Sequence, residues 1–320
     1  LESDRIDLES DWTPWTDVGT ETLNAGTDFD LVVLGIPVGA LEPICGDLIA
    51  ADDAWKNMVT KVETTQTQAL QLWLVPSAAG LGWKKQPTIL TAYADPLATW
   101  ADLSYLIGRE DWPVGTEPKS CAYFCGPFDD ASPIPVPDDC GFPAREHARV
   151  KQISIDWLNE HATHLWPNAT GASGFAWRLL TDPAGRSGQQ RFDSQYWRAN
   201  IDRSGRYVLS VPGSGKYRLK SGDSRFENLV LAGDWVETGL NAGCIEAAVM
   251  AGMAASQAIC GSPNEIVGYD APANPPLIDV GDQPPDGSFS LGSRRAKPLY
   301  IQRGGEQVMQ QPFGLADVRF

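Results

Sequence analysis

The chain has 320 residues, of which 42% are hydrophobic, so it has enough apolar material for one large or two ordinary domains with a sizeable core. Its net charge of −16 disfavours nucleic acid and anionic membrane surfaces as partners, because neither attracts an acidic protein. The sequence contains no run of about 18 apolar residues, so we predict no integral membrane contact.

The first elements are a polar lead and a short strand. Residues 1–27 carry turn residues and predict a loop or an edge hairpin. Residues 31–34 form an apolar run that predicts a buried strand, and Gly35 and Pro37 break it.

The middle of the chain predicts a second layer of structure. Within 50–75 a helix is expected around Trp55 and Met58, followed by a strand over 67–75. Leucines alternate on one face of this strand, and Ala69, Gln71 and Trp73 lie on the other. Residues 76–145 are rich in Pro, Gly and aromatics, with further strands expected over 88–93 and 120–124 and a loop over 129–143. An amphipathic helix is expected over 148–166.

Cysteine and histidine spacings do not predict a metal site. Cys121 and Cys125 have no second pair at zinc spacing, so core or loop thiols are the better interpretation. His161 and His164 are three apart on the predicted helix without an evident third ligand. Scattered thiols are typical of a reduced, cytoplasmic protein, which we take as the expectation.

The strongest local signal lies near the C-terminal end. Residues 229–232 predict a buried parallel strand, and Gly233 and Asp234 turn out of it. A helix rich in small residues is expected over 242–259, ended by Gly261 and Pro263. The N–H groups at the start of such a helix attract the anionic edge of a ligand, and the Asp234 carboxylate can accept a hydrogen bond from a ribose-like or ribityl hydroxyl.

This stretch resembles the C-terminal FAD motif of the flavin-containing amine oxidoreductase superfamily, which includes amine oxidases, phytoene-type carotenoid desaturases and protoporphyrinogen oxidases. The matching residues are Leu231, Ala232, Gly233, Asp234, Gly239, the run 243–249 and Gly252. The acid-led strand that runs into Gly35 and Pro37 is similar to a second landmark of the family, near the nucleotide half of FAD.

The resemblance implies FAD as cofactor and a set of residues that bind it: Gly35, Pro37, Gly233, Asp234, Gly239, Asn241, Ala242, Gly243, Cys244 and Ile245. Of these, Gly243, Cys244 and Ile245 would donate backbone N–H groups to the electron-rich N1/O2 edge of the flavin.

The resemblance also implies two catalytic candidates, Tyr207 and Gln68. Tyr207 stands at the family's upstream aromatic position, for which Trp197 also fits. Gln68, or else Gln71, stands where amine oxidases carry a lysine that reaches flavin N5 through water. A neighbouring set of basic residues could bind an acidic substrate or the pyrophosphate, although a solvated strip is the commoner arrangement: Arg198, Arg206, Lys216 and Arg218.

Two departures from the amine-oxidase pattern bear on the reaction. Cys244 replaces the aromatic residue that forms one wall of the amine cage, and the predicted strand offers no lysine. They favour hydride transfer from a substrate C–H bond to flavin N5 in a desaturase or dehydrogenase. An amine or amino-acid oxidase with an atypical cage, and a non-catalytic binding subunit of the same fold, remain open.

The expected fold class is α/β: the closing part of a Rossmann-like FAD-binding domain around an inserted α+β substrate domain with a mostly antiparallel sheet. The expected domains are 1–48, the hairpin and strand associated with the FAD domain; 49–200, the substrate domain; 201–262, the C-terminal part of the FAD domain; and 263–320, a Pro/Gly-rich tail. No GxGxxG motif occurs, so we expect a C-terminal fragment or processed subunit. Its expected partners are a small-molecule substrate and an N-terminal dinucleotide-binding half, in the same protein or a partner subunit.

Overall fold

A computed structural model describes residues 7–269 and, for the backbone alone, 299–303 and 306–310. The chain divides into two units, residues 1–273 and 274–320. The helices are α1 (Leu41–Ile44), α2 (Gly46–Ala51), α3 (Asp53–Lys61), α4 (Phe142–Leu165) and α5 (Ile245–Cys260). The strands of the first unit are β1 (Val32–Leu34), β2 (Thr64–Leu74), β3 (Ile89–Leu90), β4 (Thr99–Asp102), β5 (Ser120–Phe128), β6 (Thr170–Gly171), β7 (Gly174–Phe175), β8 (Tyr196–Asn200), β9 (Tyr207–Val208) and β10 (Leu229–Leu231).

The second unit contains an antiparallel pair of strands, β11 (Leu299–Arg303) and β12 (Glu306–Gln310). Much of the Pro/Gly-rich tail predicted over 263–320 lies outside the described residues.

A six-stranded antiparallel sheet is built around β2. Its order is β3-β4-β5-β2-β8, with β9 pairing the start of β2. The pairing of β2 with β5 runs in register from Gln66 opposite Phe128 to Leu74 opposite Ser120, so the side chains alternate strictly between the two faces. The mostly antiparallel sheet predicted for the middle of the chain is therefore present.

Helix α4 packs against one face of this sheet. Leu70, Leu72 and Leu74 are fully buried in a core that also contains Trp157 and Leu158 of the helix. The helix begins six residues before the predicted start at 148, because the proline in its first turn has no N–H that needs an intrahelical partner.

A second core is formed by α3, β10 and α5. Trp55 and Met58 of α3 are fully buried beside Leu231 and Trp235, and the Trp55 indole N–H donates to the carbonyl of Ser224 at 2.7 Å. Helix α3, which the sequence predicts inside the substrate domain, thus packs with the C-terminal elements. The domain boundaries at 49 and 201 stay predictions.

The parallel pair β1–β10 differs from the expected strand environment. Strand β10 is fully buried as predicted, whereas Val33 of β1 is 51% exposed, so the prediction of a buried β1 was wrong. The reason is topological: among the described residues β1 pairs only with β10, which leaves its other edge without a neighbouring strand. Two strands and one helix do not by themselves make a Rossmann-like domain, which stays a prediction.

A buried carboxylate fastens the segment between β7 and β8. Asp182 accepts hydrogen bonds from Arg186 at 3.0 Å, from the Ser194 hydroxyl and from the backbone N–H of Ala184 at 3.1 Å. The Arg186 hydrogen bond, followed by those of Ser194 and the backbone, holds the pKa of Asp182 well below its usual range.

Within the part of the chain that the structure describes, no helix is long and apolar enough to cross a membrane.

Candidate functional site

The carboxyl ends of β1 and β10 place the two predicted glycine turns side by side. Leu34 lies opposite Leu231, and the N–H of Ala232 donates to the Leu34 carbonyl at 2.9 Å. Gly35 and Gly233 therefore leave adjacent parallel strands at the same edge. In open α/β sheets ligands bind outside this edge. Pro37 follows two residues later and precedes a short 3-10 turn over Val38–Ala40.

Helix α5 begins three residues later than predicted and starts at Ile245. Cys244 is extended, and its Sγ accepts a weak hydrogen bond from the N–H of Ala247 at 3.4 Å. The backbone N–H groups of Gly243, Cys244 and Ile245 have no acceptor within residues 7–269. Ile245 is 80% exposed. The start of this 16-residue helix therefore carries unpaired donors, of which that of Gly243 belongs to a buried residue, that of Cys244 to a half-buried one and that of Ile245 to an exposed one.

The loop before α5 is held by its own polar groups. Asn241 has a φ of 47°, a left-handed conformation that asparagine tolerates better than most residues. Its Oδ1 accepts from the N–H of Thr238 at 3.0 Å, and its own N–H donates to the Thr238 hydroxyl at 3.2 Å. These bonds close the turn that contains Gly239 and deliver Ala242 to the start of the helix.

A buried arginine lies beneath this loop. Arg218 is 2% exposed; its Nη1 donates to the Asp234 carbonyl at 2.6 Å and its Nη2 to the Leu209 carbonyl at 3.4 Å. Burial lowers the pKa of Arg218 and raises that of Asp234, and the opposite charge of the partner works against each shift. The interpretation of Arg218 as part of a solvated strip was wrong, because the side chain is buried. The sequence could not show this, since no local pattern signals that an arginine will be enclosed.

Tyr207 lies against the start of α5. Its hydroxyl donates a hydrogen bond to the Gly243 carbonyl. A Cβ on Gly243 would lie 2.8 Å from the ring carbon Cζ of Tyr207 and 2.7 Å from the Val208 carbonyl oxygen, so only glycine permits this approach. Burial, followed by the charge of nearby Asp234, raises the pKa of Tyr207. The structure thus brings Tyr207, Gly243 and Asp234 together.

The register of the sheet decides which residues share the face of Tyr207. Tyr207 lies opposite Thr65, and side chains alternate along β2, so Gln71 belongs to the same face. Across from Gln71 stand Tyr123 of β5 and Tyr196 of β8. This face, which we call the Tyr207 face, is half-open and carries uncharged polar side chains together with the exposed Arg198 of β8, which lies opposite Ala69.

A thiol also belongs to the Tyr207 face. Cys125 lies opposite Ala69, two residues from Tyr123 on the same strand. Burial, followed by the neighbouring Cys125, raises the pKa of Tyr123 to about 12, so the phenol stays protonated. The sequence predicts a strand at Tyr123 without a role for this residue and indicates only a core or loop thiol at Cys125, because the predicted strand over 120–124 ends one residue before Cys125.

Gln68 faces the other way. Its side chain shares the face of Leu70 beneath α4, and its Nε2 donates to the Pro127 carbonyl at 2.9 Å. The structure does not bring the two predicted catalytic residues, Tyr207 and Gln68, together. Trp197, the alternative aromatic, lies opposite Leu70 on this same face and stacks on His147 with ring centroids 5.0 Å apart.

Among the described residues no group of three or more His, Cys, Asp or Glu side chains could hold a metal ion. All six cysteines are free thiols, of which Cys45 and Cys121 are buried.

Comparison with known proteins agrees with the C-terminal motif. Residues 176–260 match the sequence model of the family described as flavin containing amine oxidoreductase. Comparison with the curated proteins finds no match. Among solved structures, the chain is similar to an oxidoreductase from Methanosarcina mazei at 13% identity and a TM-score of 0.43, covering 72% of this chain and 43% of that one. The chain therefore spans less than half the length of that structure, and over residues 176–260 the predicted resemblance to flavin-containing amine oxidoreductases is confirmed.

Proposed function

We propose that this chain is the C-terminal part of an FAD-dependent oxidoreductase of the desaturase or dehydrogenase type, in which bound FAD accepts hydride at N5 from a substrate C–H bond. The observation that carries the proposal is the family match over 176–260, whose last residues are α5 and the turn before it.

The residues present fit a flavin. The unpaired N–H groups of Gly243, Cys244 and Ile245 suit the electron-rich N1/O2 edge of the ring, where they would stabilise added negative charge. The half-buried carboxylate of Asp234 accepts no hydrogen bond from another described residue and suits a ribityl hydroxyl. Arg218 would keep this carboxylate ionised and so able to accept, because its charge works against the rise in the pKa of Asp234.

The substrate would lie on the Tyr207 face. Tyr207 stands beside the start of α5. On the same face, the side-chain amide of Gln71 makes no hydrogen bond within residues 7–269. Of the two glutamines that the sequence offers, we therefore assign the substrate-side role to Gln71 rather than Gln68. The uncharged groups of this face and the positive charge of Arg198, with Cys244 in place of an aromatic wall, favour a small neutral or acidic substrate over a caged cation.

A second half is required to enclose the site. The exposed apolar side chains of β1, and the exposed Ile245 at the start of α5, are the surfaces on which an N-terminal dinucleotide-binding half would pack. This half would also supply the glycine-rich phosphate site that the sequence lacks. The six free thiols support a reducing, cytoplasmic setting.

The name of the matched family supports a second candidate, an amine or amino-acid oxidase. The two candidates differ in substrate and acceptor. Peroxide formed only when an amine is added would identify the oxidase, whereas anaerobic bleaching of flavin by a neutral substrate would identify the desaturase or dehydrogenase.

The test begins with the visible absorption spectrum of the protein, expressed as this chain and together with its upstream sequence. We expect flavin bands in the longer form, reduced by Asp234→Ala and unchanged by the control Asp223→Ala, an exposed carboxylate near Arg225. Equal flavin content in both variants would remove the ribityl role of Asp234. No flavin in either form of the wild type would favour a non-catalytic binding subunit.

A further inference from the structure

A cleft of about 390 Å³ opens on the α4 face of the sheet, away from Tyr207. Gln68 of β2 and Phe128 of β5 line it from the sheet, Arg149 and Ile153 from α4, and Asp95 and Asp129 from the loops. Its volume is within the range of small-molecule sites. The sheet separates this cleft from the Tyr207 face.

Gln68 gives the cleft a buried acceptor with no partner. The residue is 1% exposed, and its Nε2 donates to the Pro127 carbonyl at 2.9 Å. That bond fixes the orientation of the amide, because the opposite orientation would set two oxygens against each other. The Oε1 atom is left buried without a hydrogen bond, an arrangement that proteins rarely leave unsatisfied.

The rim adds negative charge. The carboxylates of Asp95 and Asp129 make no ion pair or side-chain hydrogen bond within residues 7–269. The one cation that lines the cleft is already engaged: Arg149 pairs with Glu146 at 2.7 Å, donates to the backbone carbonyl of Asp129 at 2.6 Å, and lies 3.9 Å from the centroid of the Phe128 ring. The polar groups of the cleft that lack a hydrogen-bond or ion-pair partner, which are Gln68 Oε1 and the carboxylates of Asp95 and Asp129, are therefore all acceptors.

We propose that this cleft is a second ligand site, which binds a small organic cation carrying N–H donors, such as a primary ammonium on a short apolar body. The ammonium donates to Gln68 Oε1 and balances the two rim carboxylates, and the apolar body lies against Ile153 and the Phe128 ring. A neutral alcohol of the same shape supplies one donor and no charge, so it binds more weakly. An anion meets two carboxylates without a free cation to offset them.

Gln66 provides a matched control within the same strand. It is also 1% exposed, lies on the same face, and has an Oε1 without a partner while its Nε2 donates to the Ile201 carbonyl at 3.3 Å. It lines a different cleft of only about 80 Å³, beside Arg203 and Arg206. The two glutamines therefore share burial and backbone setting but differ in the space and charge around them.

Isothermal titration calorimetry of the full chain with butylammonium, and with 1-butanol as the neutral analogue, tests the proposal without involving flavin. We expect saturable binding of butylammonium that weakens with salt, and weaker binding of butanol. Gln68→Leu should weaken butylammonium binding by about tenfold or more, the effect of one lost hydrogen bond to a charged group, whereas Gln66→Leu should leave it unchanged.

A double variant, Asp95→Asn with Asp129→Asn, tests the proposal even if Gln68→Leu does not fold. Both residues are exposed and neither carboxylate has a partner to lose, so the double variant should fold. It should also weaken butylammonium binding by about tenfold. No heat of binding with the wild type, the signature of a cleft that holds only water, would overturn the proposal. So would equal affinity for butanol, or equal losses in the Gln66 and Gln68 variants.

Discussion

The contact between Tyr207 and the start of α5 makes a sharp prediction for Gly243→Ala. The added Cβ would lie 2.7 Å from the Val208 carbonyl oxygen and 2.8 and 2.9 Å from two ring carbons of Tyr207. These separations are about 0.6 Å or more below the van der Waals optimum of about 3.5 Å, so the ring and the β9 backbone must move. Overpacking of this kind costs about 1–3 kcal/mol of the free energy of unfolding.

Gly252→Ala is the matched control, on the same helix. A Cβ there meets no atom within 4 Å, so the substitution should stabilise the protein by about 0.5–1 kcal/mol through the higher helix propensity of alanine. Urea unfolding followed by circular dichroism measures both variants against the wild type. Equal midpoints for the two variants would refute the proposed contact.

A third variant separates the two obstacles. In a Tyr207→Ala background the ring contacts are gone and only the Val208 carbonyl remains, so Gly243→Ala should cost less than it does in the wild type. An unchanged cost would mean that the ring of Tyr207 does not lie against Gly243.

Three further predictions concern stability. The depressed pKa of Asp182 contributes stability that is present above the unfolded pKa of about 3.9 and is lost as the pH falls through the lower folded pKa. The urea midpoint of Asp182→Asn should therefore lie below that of the wild type at about pH 5, and the difference should shrink as the pH falls to about 2. A difference that stays constant over this range would contradict the prediction. Trp55→Phe removes an indole donor from a buried carbonyl and should cost about 1–3 kcal/mol more than Trp100→Phe, whose indole N–H has no partner; equal melting temperatures would argue against it. Asp52→Ala removes the cap of α3 and should cost about 0.5–2 kcal/mol in chemical unfolding, whereas Asp53→Ala, which caps nothing, should cost less.

Several features of the protein follow from the sequence alone because their causes are local. The apolar run of β10 and the small-residue spacing of α5 predict a strand, a turn and a helix, and all three are present. Gly261 ends α5 in the left-handed conformation, as a helix-terminating glycine should. The alternation of leucines along β2 predicts a strand with two distinct faces, which the sheet confirms.

Other features were decided only by tertiary structure. Alternation along β2 does not reveal which face α4 covers, and so it could not show that Gln68 and Tyr207 lie on opposite sides of the sheet. The composition of β1 matches that of a buried strand, yet its exposure depends on which strands lie beside it. Arg218 is enclosed by hydrogen bonds to the carbonyls of Leu209 and Asp234, which lie 9 and 16 residues away in the sequence. No local pattern around the arginine predicts these contacts. The sequence determines local conformation through the steric and hydrogen-bonding preferences of neighbouring residues. The burial of a side chain, the face of the sheet on which it lies and its hydrogen-bond partners depend instead on contacts between segments that only the folded chain brings together.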